Sequence, residues 1–117
     1  MATRIVLQRD RTSNNLFAKP ISDTSASAVL LANTVTTIAV PSSTHLAFVT
    51  VTGNEAYVAL NETPVVPTTA NFVFQPGQQI NNGAMAGFPC NPGDDINIIS
   101  DNAAKVQVSF YENEYIQ

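Results

Sequence analysis

The sequence contains one cysteine, one histidine and no tryptophan, and only 12% of its 117 residues are charged. Each scarcity excludes something. Cys90 alone forms no intramolecular disulfide, so the fold does not depend on an oxidising compartment. It reads as a small, part-buried apolar residue. A thiolate nucleophile would want a histidine beside it, and His45 sits inside a strand pattern. No apolar run approaches the roughly 20 residues of a membrane helix. The first residues lack the apolar stretch of about 7–15 residues that marks a signal peptide, so a soluble chain made in the cytoplasm is expected. There is no glycine-rich phosphate loop, no metal-spaced His/Cys set and no Ser-His-Asp arrangement. A pI near 4.6 opposes nucleic-acid binding by the domain as a whole. Neither enzymatic activity nor a cofactor is expected.

What the chain does hold is polar and uncharged. Ser, Thr and Asn supply 32 of the 117 residues, a balance that suits a hydrogen-bonding β surface. It also suits protein–protein contact, where charge is costly to desolvate. The length fits one domain, and area scaling lets it bury about two-thirds of its extended surface. Charge is unevenly placed: residues 1–19 hold Arg4, Arg9, Arg11 and Lys19 against Asp10, and the remainder holds Lys105 against eight acids. A basic arm on an acidic body suits docking on another surface.

The stretch His45–Leu60 organises the rest. Leu46, Phe48, Thr50 and Thr52 alternate with Ala47, Val49 and Val51. Gly53-Asn54 follows, and Ala56-Tyr-Val-Ala-Leu60 alternates again. The period of two and the β-branched content predict a β-hairpin, apolar on both faces and covered on both sides. Further strands are expected at Val29–Leu31, Thr34–Val40, Asn71–Gln75, Asp95–Ser100 and Lys105–Tyr111. Val106, Val108 and Phe110 should point inward, with Gln107, Ser109 and Tyr111 outward. Asn82-Gly83 is a second hairpin signal, between weakly patterned flanks. Residues 61–67 carry two prolines and cannot lie inside a sheet.

About eight short strands with evenly spaced turns predict an all-β, two-sheet antiparallel β-sandwich, jelly-roll-like. Residues 28–117 form it, preceded by an extended N-terminal arm over residues 1–27 in which Asp23–Ser27 is a loop. Phe48, Val58, Phe72, Phe74, Val106, Val108 and Phe110 are the expected core.

Few residues suggest a site. Asp94, Asp95 and Asp101, with Asn97 and Asn102, form the only acidic cluster, and such oxygen donors suit calcium. Its spacing matches no calcium loop, and turn formation explains it better. Asn61-Glu-Thr63 fits the glycosylation sequon but needs a secretory route. Arg4, Arg9, Arg11 and Lys19, with Leu16 and Phe17 between them, are candidates for contact with a partner. Tyr111, Tyr115 and Ile116 are weaker candidates for contact between copies.

From Val29 to Tyr111 the order of segments resembles a family of small all-β proteins of tailed bacteriophages, the head decoration or cement proteins. The features are a Thr/Ala-rich strand, a proline turn, the run FVTVTGNEAYVAL, a polar proline loop and an aromatic strand. The turn Asn91-Pro-Gly-Asp-Asp95 then leads into Ile96. The resemblance implies a β-sandwich or jelly-roll homo-oligomer, dimer or trimer, in the virion. Its partner would be the major capsid protein or another virion protein, with no nucleic acid or membrane involved. Neck, tail or baseplate placement would use the same fold. A carbohydrate-binding sandwich is a further alternative, disfavoured by three tyrosines and no tryptophan as stacking residues.

Overall fold

The computed structural model describes residues 21–112 in full. It also describes the backbone of Asn113 and of three short strands near the N-terminus. Those three are β1 (Thr3–Ile5), β2 (Gln8–Arg9) and β3 (Asn15–Leu16). Eight further elements follow: β4 (Thr24–Leu30), β5 (Thr36–Ala39), β6 (Leu46–Thr52), β7 (Ala56–Leu60), β8 (Gln78–Ile80), β9 (Met85–Pro89), β10 (Asp95–Ile99) and β11 (Ala104–Asn113). Among the described residues none is helical.

The eight form two antiparallel sheets. One has the order β4-β11-β6-β9, and the other β5-β10-β7-β8. β1 adds to the first sheet, parallel to the end of β11. From β4 to β11 every connection crosses from one sheet to the other except β7 to β8. That wrapping is the double-sheet jelly roll. The expected sandwich is therefore present.

The crossing corrects the hairpin expectation. β6 pairs with β11 and β9, whereas β7 pairs with β10 and β8, so the two arms of His45–Leu60 lie in different sheets. Gly53, at φ +98°, turns an arch between sheets and not a ladder within one. The arch brings Ala47, Val49 and Val51 into the same core as Ala56 and Val58, from opposite sides. A hairpin would have set both groups on one sheet. Asn82-Gly83 behaves likewise, turning the chain from β8 into β9.

Alternation decides what is buried. Val106, Val108 and Phe110 of β11 join Ile96 and Ile98 of β10 and Leu30 of β4 in the core, each worth about 1.5–3 kcal/mol of transfer free energy. Val58 is buried as expected. Phe48 is not in this core; it lies half-buried on the outer face of the first sheet. Asp23–Ser27 also departs from expectation. Thr24 opens β4, whose residues 24–30 pair with 104–110 of β11. Ala26 and Ala28 are its inward side chains, too small to give a strand signal in the sequence.

Ser100, fully buried, locks one end of the sandwich. Its hydroxyl donates to the Glu55 carbonyl at 2.7 Å and accepts from Asn54 Nδ2 at 2.9 Å, while its carbonyl accepts from Asn33 N–H at 2.7 Å. Three loops thus meet on one residue.

Candidate interaction site

Residues 71–75, expected as a strand, lie in the long loop that joins β7 to β8. Phe72 and Phe74, expected in the core, are fully exposed at 107% and 106%. Alternation over five residues suggested a strand, but the eight-stranded sandwich is complete without one there. The loop's two sides are instead tied together at the base.

That base is well built. Asn61 adopts the left-handed conformation at φ +60°, which asparagine accepts more readily than most residues. Its N–H donates to the Asp95 carbonyl at 2.7 Å, its Oδ1 accepts from Asp95 N–H at 2.8 Å, and its Nδ2 donates to Asp94 Oδ1 at 3.1 Å. Asp94 Oδ2 also accepts from Asn91 N–H at 2.9 Å. The bonds from Asn61 and Asn91 hold the Asp94 carboxyl below its ordinary pKa. Asn97 Nδ2 donates to the Glu62 carbonyl at 2.8 Å. Pro64 is buried, and Gly77, at φ +127°, passes so close that a Cβ there would lie 3.4 Å from Pro64. Gln75 Nε2 then donates to the Val65 carbonyl at 3.2 Å, closing the loop above its base. Beyond that clasp the chain projects Phe72, Val73 and Phe74 outward.

The sequence around this tip is uncharged. From Thr63 to Gly93 there is no Asp, Glu, Lys, Arg or His. This stretch spans the loop, β8 and β9, and each of those two strands is an edge of its sheet. β8 is short and pairs only with Ala56–Val58. Ala59 and Leu60 consequently border a groove of about 660 Å³, whose other wall is Met85–Pro89 of β9. Fully exposed aromatic rings, and a groove walled by Leu60, Ala86 and Phe88 with Gln78 and Gln79 at its side, are the kinds of surface that mark protein contact.

The residues singled out in the sequence are placed differently. Tyr111 is 1% exposed, so its assignment as a contact between copies is corrected. Both Phe110 and Tyr111 are buried because β11 is covered on both faces there, Tyr111 lying against Phe48. Burial raises the Tyr111 phenol pKa, a backbone hydrogen bond from Ser22 partly opposing it. Arg4 lies on β1 across from Glu112, while Arg9 and Leu16 lie on β2 and β3 across from Asn15 and Gln8. Arg11, Phe17, Lys19, Tyr115 and Ile116 fall outside the described residues.

The acidic cluster divides. Asp94 and Asp95 lie at one end of β10, and Asp101 at the other, where it accepts from Asn54 Nδ2 at 2.6 Å. Among the described residues no three His, Cys, Asp or Glu side chains group as metal ligands. Cys90 is buried, and burial with the nearby Asp94 charge pushes its thiol up to about 11. Comparison with protein-family models, curated proteins and solved structures finds no match.

Proposed function

We propose that this chain is a viral structural protein, a head decoration protein that binds an assembled capsid and stabilises it. The observation that carries the reading is the uncharged loop tip that holds Phe72 and Phe74 in full exposure on a braced jelly-roll body. Such a tip offers area for protein contact and no group for chemistry. The order of motifs resembling phage decoration proteins supports the same reading. So does the topology, since capsid domains are among the uses of jelly rolls, although a fold alone does not choose a function.

On this reading the protein is made in the host cytoplasm and resides in the virion, with the major capsid protein as its partner. It is not an enzyme and needs no cofactor, nucleic acid or membrane. Arg4, Arg9, Arg11 and Lys19 steer the N-terminal arm to an acidic capsid surface, and Leu16 and Phe17 fill a shallow pocket there. Each exposed charge pair contributes about 0–1 kcal/mol, so several act together. Binding the assembled shell and not its free subunits stabilises the shell by mass action.

The test is co-sedimentation of the purified protein with capsids that lack it. Saturation at a fixed number of copies per particle, with greater resistance of the particle to heat, is expected. Charge reversal at Arg9 and Arg11 should slow attachment, most at low salt. Capsids that sediment bare, or copies mapped by cryo-electron microscopy to the neck, tail or baseplate, would overturn the head assignment.

A further inference from the structure

We infer that the Phe72/Phe74 loop is the self-association element of this protein, seating in the Leu60–Phe88 groove of a second copy. The inference deepens the proposed function and rests on it, because it assigns the contact between neighbouring copies of a multicopy decoration protein.

Three observations select a second copy as the occupant. The first is charge. Among the residues described in full, Asp23, Glu55, Glu62, Asp94, Asp95, Asp101 and Glu112 stand against Lys105 alone. Two such bodies repel wherever these side chains face each other. The stretch from Thr63 to Gly93 is free of charge, and it contains both the loop and the β9 wall of the groove. Residues 24–54 also lack Asp, Glu, Lys and Arg, but they project no fully exposed aromatic ring. Like-charged copies can approach through the loop and groove without desolvating a carboxylate.

The second is complementarity within one chain. The loop presents two aromatic rings and Val73, and the groove is walled by Ala59, Leu60, Ala86 and Phe88. Its volume of about 660 Å³ lies within the range that receives bulky apolar groups. The clasp from Gln75 to Val65 and the Asn61 base hold the tip away from the body, so the rings do not fill their own groove.

The third is area. Two phenylalanine rings bury about 300–500 Å². In a reciprocal two-fold contact both copies bury their rings, about 600–1,000 Å² in all before the groove walls are added. With them the contact comes to the roughly 1,000 Å² that a specific interface clears. A closed two-fold pair follows, since every copy carries both halves of the contact.

The experiment is analytical ultracentrifugation of the full chain and of Phe72→Ser/Phe74→Ser, with circular dichroism and melting as the folding control. The wild type is expected to sediment as a dimer, and the variant as a monomer with unchanged spectrum and melting. A photo-crosslinking benzoylphenylalanine at position 72, in a mixture of ¹⁵N-labelled and unlabelled copies, should attach to residues 59–60 or 85–89 of the other copy. A monomeric wild type, a variant that stays oligomeric, or intermolecular cross-links confined to other segments would each overturn the inference. Capsid binding is scored separately. Its failure with an intact oligomer would sink the decoration reading and leave the self-contact standing.

Discussion

The ring of Phe48 stands edge-on to the ring of Tyr111, with centroids 5.4 Å apart and planes at 89°. This T-shaped pair sits on the outer face of the first sheet, away from the aliphatic core, and its third member is a glycine. Gly87 lies across from Phe48 in the β6–β9 ladder. A Cβ at Gly87 would come within 2.6 Å of the Phe48 ring. The missing side chain is therefore what allows the ring to lie over β9 while it meets Tyr111.

Gly87→Ala should destabilise the protein by about 1–3 kcal/mol through overpacking, because Tyr111 blocks the direction in which the ring would swing. Urea unfolding of a double-mutant cycle with Phe48→Leu checks it. The alanine should cost distinctly less when combined with Phe48→Leu, since a smaller side chain leaves room. Equal costs in both backgrounds would separate Gly87 from the aromatic pair.

Ser100 gives the second prediction. Ser100→Ala removes the donor to the Glu55 carbonyl and the acceptor for Asn54 Nδ2 in a fully buried setting. The expected loss is about 1–3 kcal/mol, two hydrogen bonds at about 0.5–1.5 kcal/mol net each, because Asn54 Nδ2 keeps Asp101 and the Glu55 carbonyl keeps Asn54 Nδ2. Hydrogen exchange should rise at the Gly53 and Ala103 arches together. A rise at one arch alone would mean that Ser100 does not couple them.

Much of this fold was legible because alternation is a local property. The core strands 46–52, 95–99 and 104–113 announce themselves by period, and the buried set Val58, Val106, Val108 and Phe110 follows from it. What the sequence hid was partnership. Gly53-Asn54 and Asn82-Gly83 mark reversals of direction, and a turn signal does not say whether the chain returns within its own sheet or crosses to the other. Thr24–Leu30 was masked by small residues, whose inward alanines carry little hydrophobic signal. The site was misread for the opposite reason. Phe72 and Phe74 look like core residues by type, and only a sandwich already complete with eight strands leaves them outside. The absence of charge from residues 63 to 93, between Glu62 and Asp94 in a chain of net charge −4, was the signal that could have identified them as a surface.

The third prediction concerns Cys90. With its thiol pushed up to about 11 by burial and by the Asp94 charge, the native protein should react with Ellman's reagent only after unfolding. The linkage has a definite sign. A pKa raised by folding favours the protonated form, so this contribution to stability is fully present below the unfolded thiol pKa. It is lost as pH rises from about 9 through about 11. Cys90→Ala should flatten the fall in melting temperature over that window. An unchanged slope would place the alkaline transition elsewhere.

The last prediction separates the two tasks of Asn61, which are to hold a left-handed backbone and to bond the loop base to the β9–β10 turn. Asn61→Gly keeps the conformation at φ +60° and deletes the bonds to Asp94 and to Asp95 N–H. Asn61→Ala deletes the same bonds and adds the cost of placing a Cβ in the left-handed region, about 1–2 kcal/mol. Alanine should therefore be the less stable variant by about that amount, which chemical denaturation can resolve. Both should loosen the loop, seen as faster amide exchange over residues 62–77, and both should weaken the association of copies if the clasped base is what presents Phe72 and Phe74. Acid should reproduce part of this effect in the wild type. The Asp94 carboxyl is held below its ordinary pKa by Asn61 first and by Asn91 N–H second. A depressed carboxylate stabilises the fold above its unfolded pKa and loses that contribution as pH falls through the folded value. Loop exchange should accordingly quicken below about pH 4. Asp94→Asn should remove that pH dependence. If Asp94→Asn shows the same acid response as the wild type, the loop base is not held by this carboxylate.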